Sequence, residues 1–225
     1  MAVALKYAQE KEWAKADKPS AEALSKTPDN INALILRAII CENLNRYDEA
    51  VENARKAVSI DSSSFAANYT LGRLYAADRR RINEAVDLLI KANRLRSERP
   101  EPLVLLCNLH PAGKKGSYLA ALSRMPAYAN APEVAFESCM NQIYNGNYQG
   151  VDAVFIRLFN NYPDHPELTS ALGGYFDFRR KTSKTQTEAF KRLAQTASKR
   201  YLAFPEERRT AARTARATKR LAGLK

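Results

Sequence analysis

The 225-residue sequence predicts an all-α solenoid built by stacking helical hairpins, and three observations carry that expectation. Asn45-Arg46-Tyr47-Asp48-Glu49-Ala50 opens an alanine-rich helix running past Ala54 and Ala57. Arg81-Ile82-Asn83-Glu84-Ala85 opens a second one past Leu89 and Ala92, with Ile82 35 residues after Tyr47. Lys11-Glu12-Trp13-Ala14-Lys15-Ala16 begins a further copy, with Trp13 34 residues before Tyr47. Self-similarity at this period, in segments of helical spacing, marks a repeat array whose units bury their apolar faces only by leaning on neighbours.

Taken in order, the chain opens partway into a first helix, with Ala4 and Tyr7 in the positions that Gly72 and Tyr75 fill later, as either a shortened capping helix or, the favoured expectation, a piece cut from a longer array would. Pro19 should end or kink the helix that follows, and Thr27-Pro28-Asp29-Asn30 supplies a turn and cap. The copy at 31–64 carries Leu34, Ala38, Cys41 and Leu44 on one face, and Ile60-Asp61-Ser62-Ser63-Ser64 closes it. The copy at 65–99 has Leu71-Gly72 with Tyr75 three residues on, and one extra Arg among Arg79, Arg80 and Arg81 lengthens its turn. In the copy at 100–131, Leu103, Leu106, Cys107 and His110 form a first helix, Pro111 to Gly116 replaces the tight turn with a loop, and a helix from Tyr118 to Met125 stops at Pro126. At 132–165, Gly146-Asn147-Tyr148 repeats the turn before Val151, Phe155 and Leu158. The copy at 166–204 begins with Pro166, Leu168, Leu172, Gly173 and Phe176 and ends in a helix from Glu188 to Ala203; Pro205-Glu206-Glu207 then starts a last, basic capping helix over 205–225.

At Leu71-Gly72, Tyr75, Ala85, Leu89 and Ala92 the sequence resembles the tetratricopeptide repeat family, whose signature places a Leu-Gly pair, an aromatic three residues later and an Ala in the second helix. The family's Trp position falls on Asn68 here. The resemblance covers residues 1 to 204, in a partial copy at 1–30 and five more, and implies a right-handed superhelix of about 11–13 helices. It also implies a non-catalytic protein-interaction scaffold, with a docking groove lined by the first helix of each unit. Carried over by register, that groove takes Ile35, Ile39, Asn43, Tyr69, Arg73, Val104, Asn108, Phe136, Met140 and Tyr144. Most are apolar or aromatic, which fits an amphipathic helix or extended segment of another protein and disfavours a carboxylate clamp of Lys, Arg and Asn. The competing reading is that these side chains are covered by neighbouring helices or by another copy of the chain.

Net charge is +12, and its placement matters more than its size. From Arg179 to Lys225 there are 15 basic residues against 3 acidic, while the preceding 178 residues balance at 21 of each. Within that basic end, Arg209, Arg213, Arg216 and Arg220 form one helical stripe flanked by Arg208 and Lys219, with Ala211, Ala215, Thr218 and Ala222 opposite, positioned to lie on the preceding helix. The stripe is either the polar outer face of a cap or a surface for nucleic acid, an acidic partner or an anionic membrane.

Chemistry is not expected. Three cysteines, Cys41, Cys107 and Cys139, read as buried apolar residues, and with His110 and His165 they do not assemble a zinc ligand set. Gly113-Lys114-Lys115-Gly116 matches a KH-type Gly-x-x-Gly loop without the strands that module needs. It lacks the first Gly and the Ser or Thr of a phosphate-binding loop. Asn68-Tyr69-Thr70 is a glycosylation sequence set inside a helix. His110 beside Cys107 has no orienting acid and reads as a helix end, so neither an enzyme nor a cofactor is expected. Neither a signal peptide nor a membrane span is legible; a soluble cytoplasmic chain is the expectation, with the compartment left open by cysteine usage.

Overall fold

The computed structural model describes residues 1–110, 113–183 and 185–224, and among them every regular element is helical. The chain divides into two units, Met1–Ala129 and Asn130–Lys225. The first holds α1 (Ala2–Gln9), α2 (Trp13–Lys26), α3 (Ile31–Asn43), α4 (Tyr47–Ile60), α5 (Phe65–Ala76), α6 (Ile82–Leu95), α7 (Glu101–Leu109) and α8 (Gly116–Leu122). Each helix packs on the next, and α3 also touches α5, as α5 touches α7, so the first helices of successive hairpins share one face.

The hairpin turn is written by one backbone device used repeatedly. Lys11 and Asn45 take left-handed backbone angles (φ 59° and 60°), and the following amides reach back to close the turn: Glu12 N to Tyr7 O at 2.8 Å, Arg46 N to Cys41 O at 2.8 Å. In the second unit Gly146 (φ 74°) and the bond from Asn147 N to Gln142 O at 2.9 Å repeat it. The extra Arg of the third copy changes this turn. Asp78 Oδ1 accepts from Arg80 N at 3.0 Å and caps a 3₁₀ turn at Arg79–Arg81, which absorbs the additional residue.

Hairpins close on alanine. Ala50, Ala54 and Ala57 of α4 and Ala85 and Ala92 of α6 are fully buried, and a Cβ on Gly72 would lie 3.1 Å from Leu89 Cγ. Asn30 and Ser64 cap α3 and α5, accepting from Ala33 N at 3.0 Å and Ala67 N at 3.3 Å.

Helix α2 runs through Pro19 to Lys26, overturning the expectation of an end there. Pro19 withholds one ladder bond, from Lys15 O, and the helix continues past it; close by, Asp17 O accepts from Ser20 Oγ at 2.7 Å and from Arg37 Nη1 at 2.9 Å, which ties this stretch to α3. Of the loop expected at Pro111 to Gly116, Pro111 and Ala112 lie outside the described residues, and Gly116 already belongs to α8, which stops at Leu122 rather than Met125 because turns occupy the following residues.

The second unit holds α9 (Pro132–Tyr144), α10 (Val151–Asn161), α11 (Pro166–Thr182), α12 (Thr187–Ala203) and α13 (Ala211–Ala222). Its core is aromatic: Phe155 meets Tyr175 edge-on at 4.5 Å and Phe159 meets Phe176 at 5.6 Å, with Phe190 beside them. Helix α10 starts at Val151, with Gly150 (φ 75°) before it, so Tyr148 lies in the connection and does not open the helix as Tyr47 does. The last helix also starts later than expected. Glu206–Arg208 form a 3₁₀ turn, and α13 begins after Thr210, whose Oγ1 accepts from Arg213 N at 3.3 Å.

Candidate binding surfaces

In the first unit, register places Ile35, Ile39 and Asn43 on α3, Tyr69 and Arg73 on α5, and Val104 and Asn108 on α7. Their exposure is uneven. Ile35 is buried and joins the core with Leu34, Ala57 and Ala67; Ile39, Tyr69, Arg73 and Val104 are half-buried; Asn43 and Asn108 are exposed. Tyr69 stacks on Phe65 at 5.8 Å, and Arg73 is paired with Glu42 of α3. An ion pair thus joins α3 and α5 across the predicted groove, which removes Arg73 as an uncommitted cation.

In the second unit, Phe136, Met140 and Tyr144 follow one another at four-residue spacing along α9. Phe136 and Met140 pack partly on the core, Phe136 stacking on Phe155 at 5.2 Å, while Tyr144 is 63% exposed. Beside Phe136 a concavity of about 260 Å³ is floored by Leu168 and rimmed by Glu133, Glu137, His165 and Arg213. His165 Nε2 lies 3.0 Å from Glu133, and Arg213 Nη1 lies 2.8 Å from Glu167.

The basic helix is turned the opposite way from the expectation. Ala217 and Leu224 are its buried anchors, whereas Ala211, Ala215, Thr218 and Ala222 face solvent. The arginines sit on the inner side: Arg213 pairs with Glu167, and Arg220 Nη1 donates to Ser198 Oγ at 3.3 Å beside Gly173. Two further members are also committed. Arg208 donates to Asp164 O at 2.7 Å, and Arg209, which precedes the helix, donates to Leu202 O at 3.2 Å. Arg216 and Lys219 remain exposed. The physical reason is room: with Gly173 in α11, a guanidinium has space where a side chain would otherwise stand, and a Cβ there would lie 2.4 Å from Arg220 Nη1.

Two features went unread in the sequence. Arg180 and Lys181, at the end of α11, join Arg216, Lys219 and Arg220 around one concavity; the signal was the basic run Arg179-Arg180-Lys181. In the first unit a concavity of about 590 Å³ runs beside Tyr47, Arg55, Tyr75 and Arg81. Its walls are held by Arg55 Nε donating to Tyr75 Oη at 2.5 Å and by the Arg81 guanidinium 3.4 Å from the Tyr75 ring centre.

Nucleophile chemistry has no foothold at Cys41 or Cys139. Burial pushes the thiols of Cys41 and Cys139 up to about 11, so both are protonated at neutral pH. Among the described residues no group of three His, Cys, Asp or Glu stands close enough to hold a metal ion, and no helix is long and apolar enough to cross a membrane. Asn68 is fully buried and donates to Ser62 O and Ser64 O, so its glycosylation sequence is inaccessible in the folded chain.

Stacked helical hairpins with a repeated left-handed turn define a helical-repeat scaffold. The tetratricopeptide repeat family model matches residues 31–64. No curated protein matches the chain by sequence. Among solved structures it is similar to YrrB, described as a TPR protein with an unusual peptide-binding site, at 18% identity and a TM-score of 0.65 over 89% of this chain and 97% of that one. It is similar to pilF of Pseudomonas aeruginosa at 21% identity and a TM-score of 0.62, covering 91% and 94% of the two chains. The C-terminal part of a TPR repeat-containing protein from Cytophaga hutchinsonii gives 14% identity and a TM-score of 0.66, covering 98% and 93%. At these identities the likeness is one of fold. Residues 31–64 thus match one tetratricopeptide repeat, and the chain shares the helical-repeat fold of these structures.

Proposed function

We propose that this protein is a protein-interaction scaffold whose first helices hold an amphipathic helix or extended segment of a partner. The observation that carries the reading is the line Phe136, Met140, Tyr144 on α9, an apolar row at four-residue spacing whose last ring is 63% exposed. In the first unit, Ile39, Tyr69 and Val104 offer half-buried apolar surface of the same kind between the polar Asn43 and Asn108. The fold shared with YrrB, a peptide-binding TPR protein, supports the same reading.

The test is affinity capture with mass spectrometry on the full chain beside Tyr69→Ala/Tyr144→Ala. These two are the informative pair, because Phe136 stacks on the core and its loss would disturb the fold. A partner captured by the parent chain should be lost from the variant while helical content stays unchanged. Equal capture by both would sink the groove, and a concentration-dependent dimer lost in the variant would make the occupant a second copy of the chain.

A further inference from the structure

We propose that the α11–α13 end of the second unit is a binding site for a compact, multiply charged phosphate group. Arg180 and Lys181 from α11 and Arg216, Lys219 and Arg220 from α13 line a concavity of about 480 Å³, within the range of small-molecule sites. One carboxylate stands among them. Asp177 accepts from Arg180 Nη2 at 3.0 Å and from Lys181 Nζ at 2.9 Å, so a single negative charge is shared by neighbouring cations.

Helix ends account for part of this arrangement. α11 ends at Thr182 and α13 at Ala222, and each carboxyl end carries roughly half a negative charge, so cations gather there favourably. Five cations against Asp177 and two such ends still leave an excess of about three positive charges. Nor do helix ends explain Arg220. Its side chain is seated against Gly173, its one hydrogen bond among the described residues is the 3.3 Å contact to Ser198 Oγ, and burial holds its pKa below the usual arginine value despite the attraction of Asp177. A desolvated guanidinium with most of its five donors unused is a group built to receive oxygen acceptors.

Phosphate fits because guanidinium forks match its oxygens in pairs and because several charges must be met at once in a small volume. An extended nucleic-acid backbone fits less well. The basic residues that would continue a phosphate track from α13 into the turn before it, Arg213, Arg209 and Arg208, are committed to Glu167, Leu202 O and Asp164 O.

The experiment is isothermal titration of the full chain with inorganic tripolyphosphate. One-to-one binding is expected, and Arg216→Ala/Lys219→Ala, two exposed positions whose loss leaves the fold intact by circular dichroism, should weaken it about tenfold or more. Arg192→Ala/Lys199→Ala, exposed on α12 outside the concavity, should leave it unchanged. The proposal is overturned by an absence of binding to the parent chain or by equal weakening in both variants. It is also overturned if a single-stranded RNA oligonucleotide binds through Arg216 and Lys219 and tripolyphosphate does not displace it, which would make the surface a nucleic-acid contact.

Discussion

Two arginines withdrawn from water, the buried Arg37 in α3 and the half-buried Arg220 in α13, solve the same problem differently. Arg37, with 8% of its side chain exposed, bridges Asp17 at 2.5 Å and Glu49 at 2.5 Å and adds Ser20 Oγ at 3.1 Å. Burial would lower its pKa, but bonds to Glu49 and Asp17 outweigh that and raise it. Arg220 has a hydroxyl and a shared carboxylate nearby, and burial prevails. The first is a structural cation whose charges are met inside the fold; the second is desolvated without being matched. A buried charge is therefore not one kind of feature, and the state of its partners decides whether it holds the fold or waits for a ligand.

The largest effect should come from breaking the matched site. Arg37→Met leaves Asp17 and Glu49 to Arg46 alone, and since both carboxylates are about a third exposed, the loss should be about 2 kcal/mol in urea unfolding at neutral pH, below the full value for a wholly buried pair. Next, Gly173→Ala would drive a Cβ into Arg220 and costs about 1 kcal/mol. Combined with Arg220→Ala the penalty should shrink without vanishing, because Ala197 Cβ would still lie 3.1 Å away, and a double-mutant cycle reads that coupling. Smallest is Arg220→Met, expected within about 0.5 kcal/mol of the parent, since an unmatched, half-buried cation contributes little stability. A loss as large as that of Arg37→Met would erase the distinction.

Acid sharpens the contrast. Burial acts to raise Asp17 and Glu49, but hydrogen bonds from Arg46 and Arg37 to Asp17, and from Arg37 and Cys41 to Glu49, hold both below the usual carboxylate range. Stability from a depressed carboxylate is present above its ordinary pKa of about 4 and is lost as pH falls through the depressed value. Thermal unfolding at pH 7, 5 and 3 should thus show a drop below about pH 4 that is shallower in Arg37→Met and unchanged in Arg220→Met.

The repeat period, the all-α class and the turns at Asn45 and Gly146 were legible because they rest on local pattern, which the stacked fold preserves. The facing of α13 was not. A stripe of arginines reads as solvated unless something opposite makes room, and that room is Gly173, in another helix 47 residues before Arg220. Pro19 was misread because a proline removes a single ladder bond, and the rest of α2, Trp13 to Lys26, carries the helix through it. Register alone could not tell Ile35, which joins the core of the first unit, from Tyr144 of the second, which stays exposed.

The aromatic core of the second unit has a spectroscopic consequence. The chain's one tryptophan, Trp13, packs in the first unit against Ala4, Ala16, Leu36 and Ile40, while the edge-on Phe155, Tyr175, Phe159 and Phe176 rings all lie in the second. Indole fluorescence reports on the first unit by itself. A fluorescence melt compared with far-ultraviolet dichroism of the same sample would therefore show whether this array unfolds as one cooperative body or as two, with no label added.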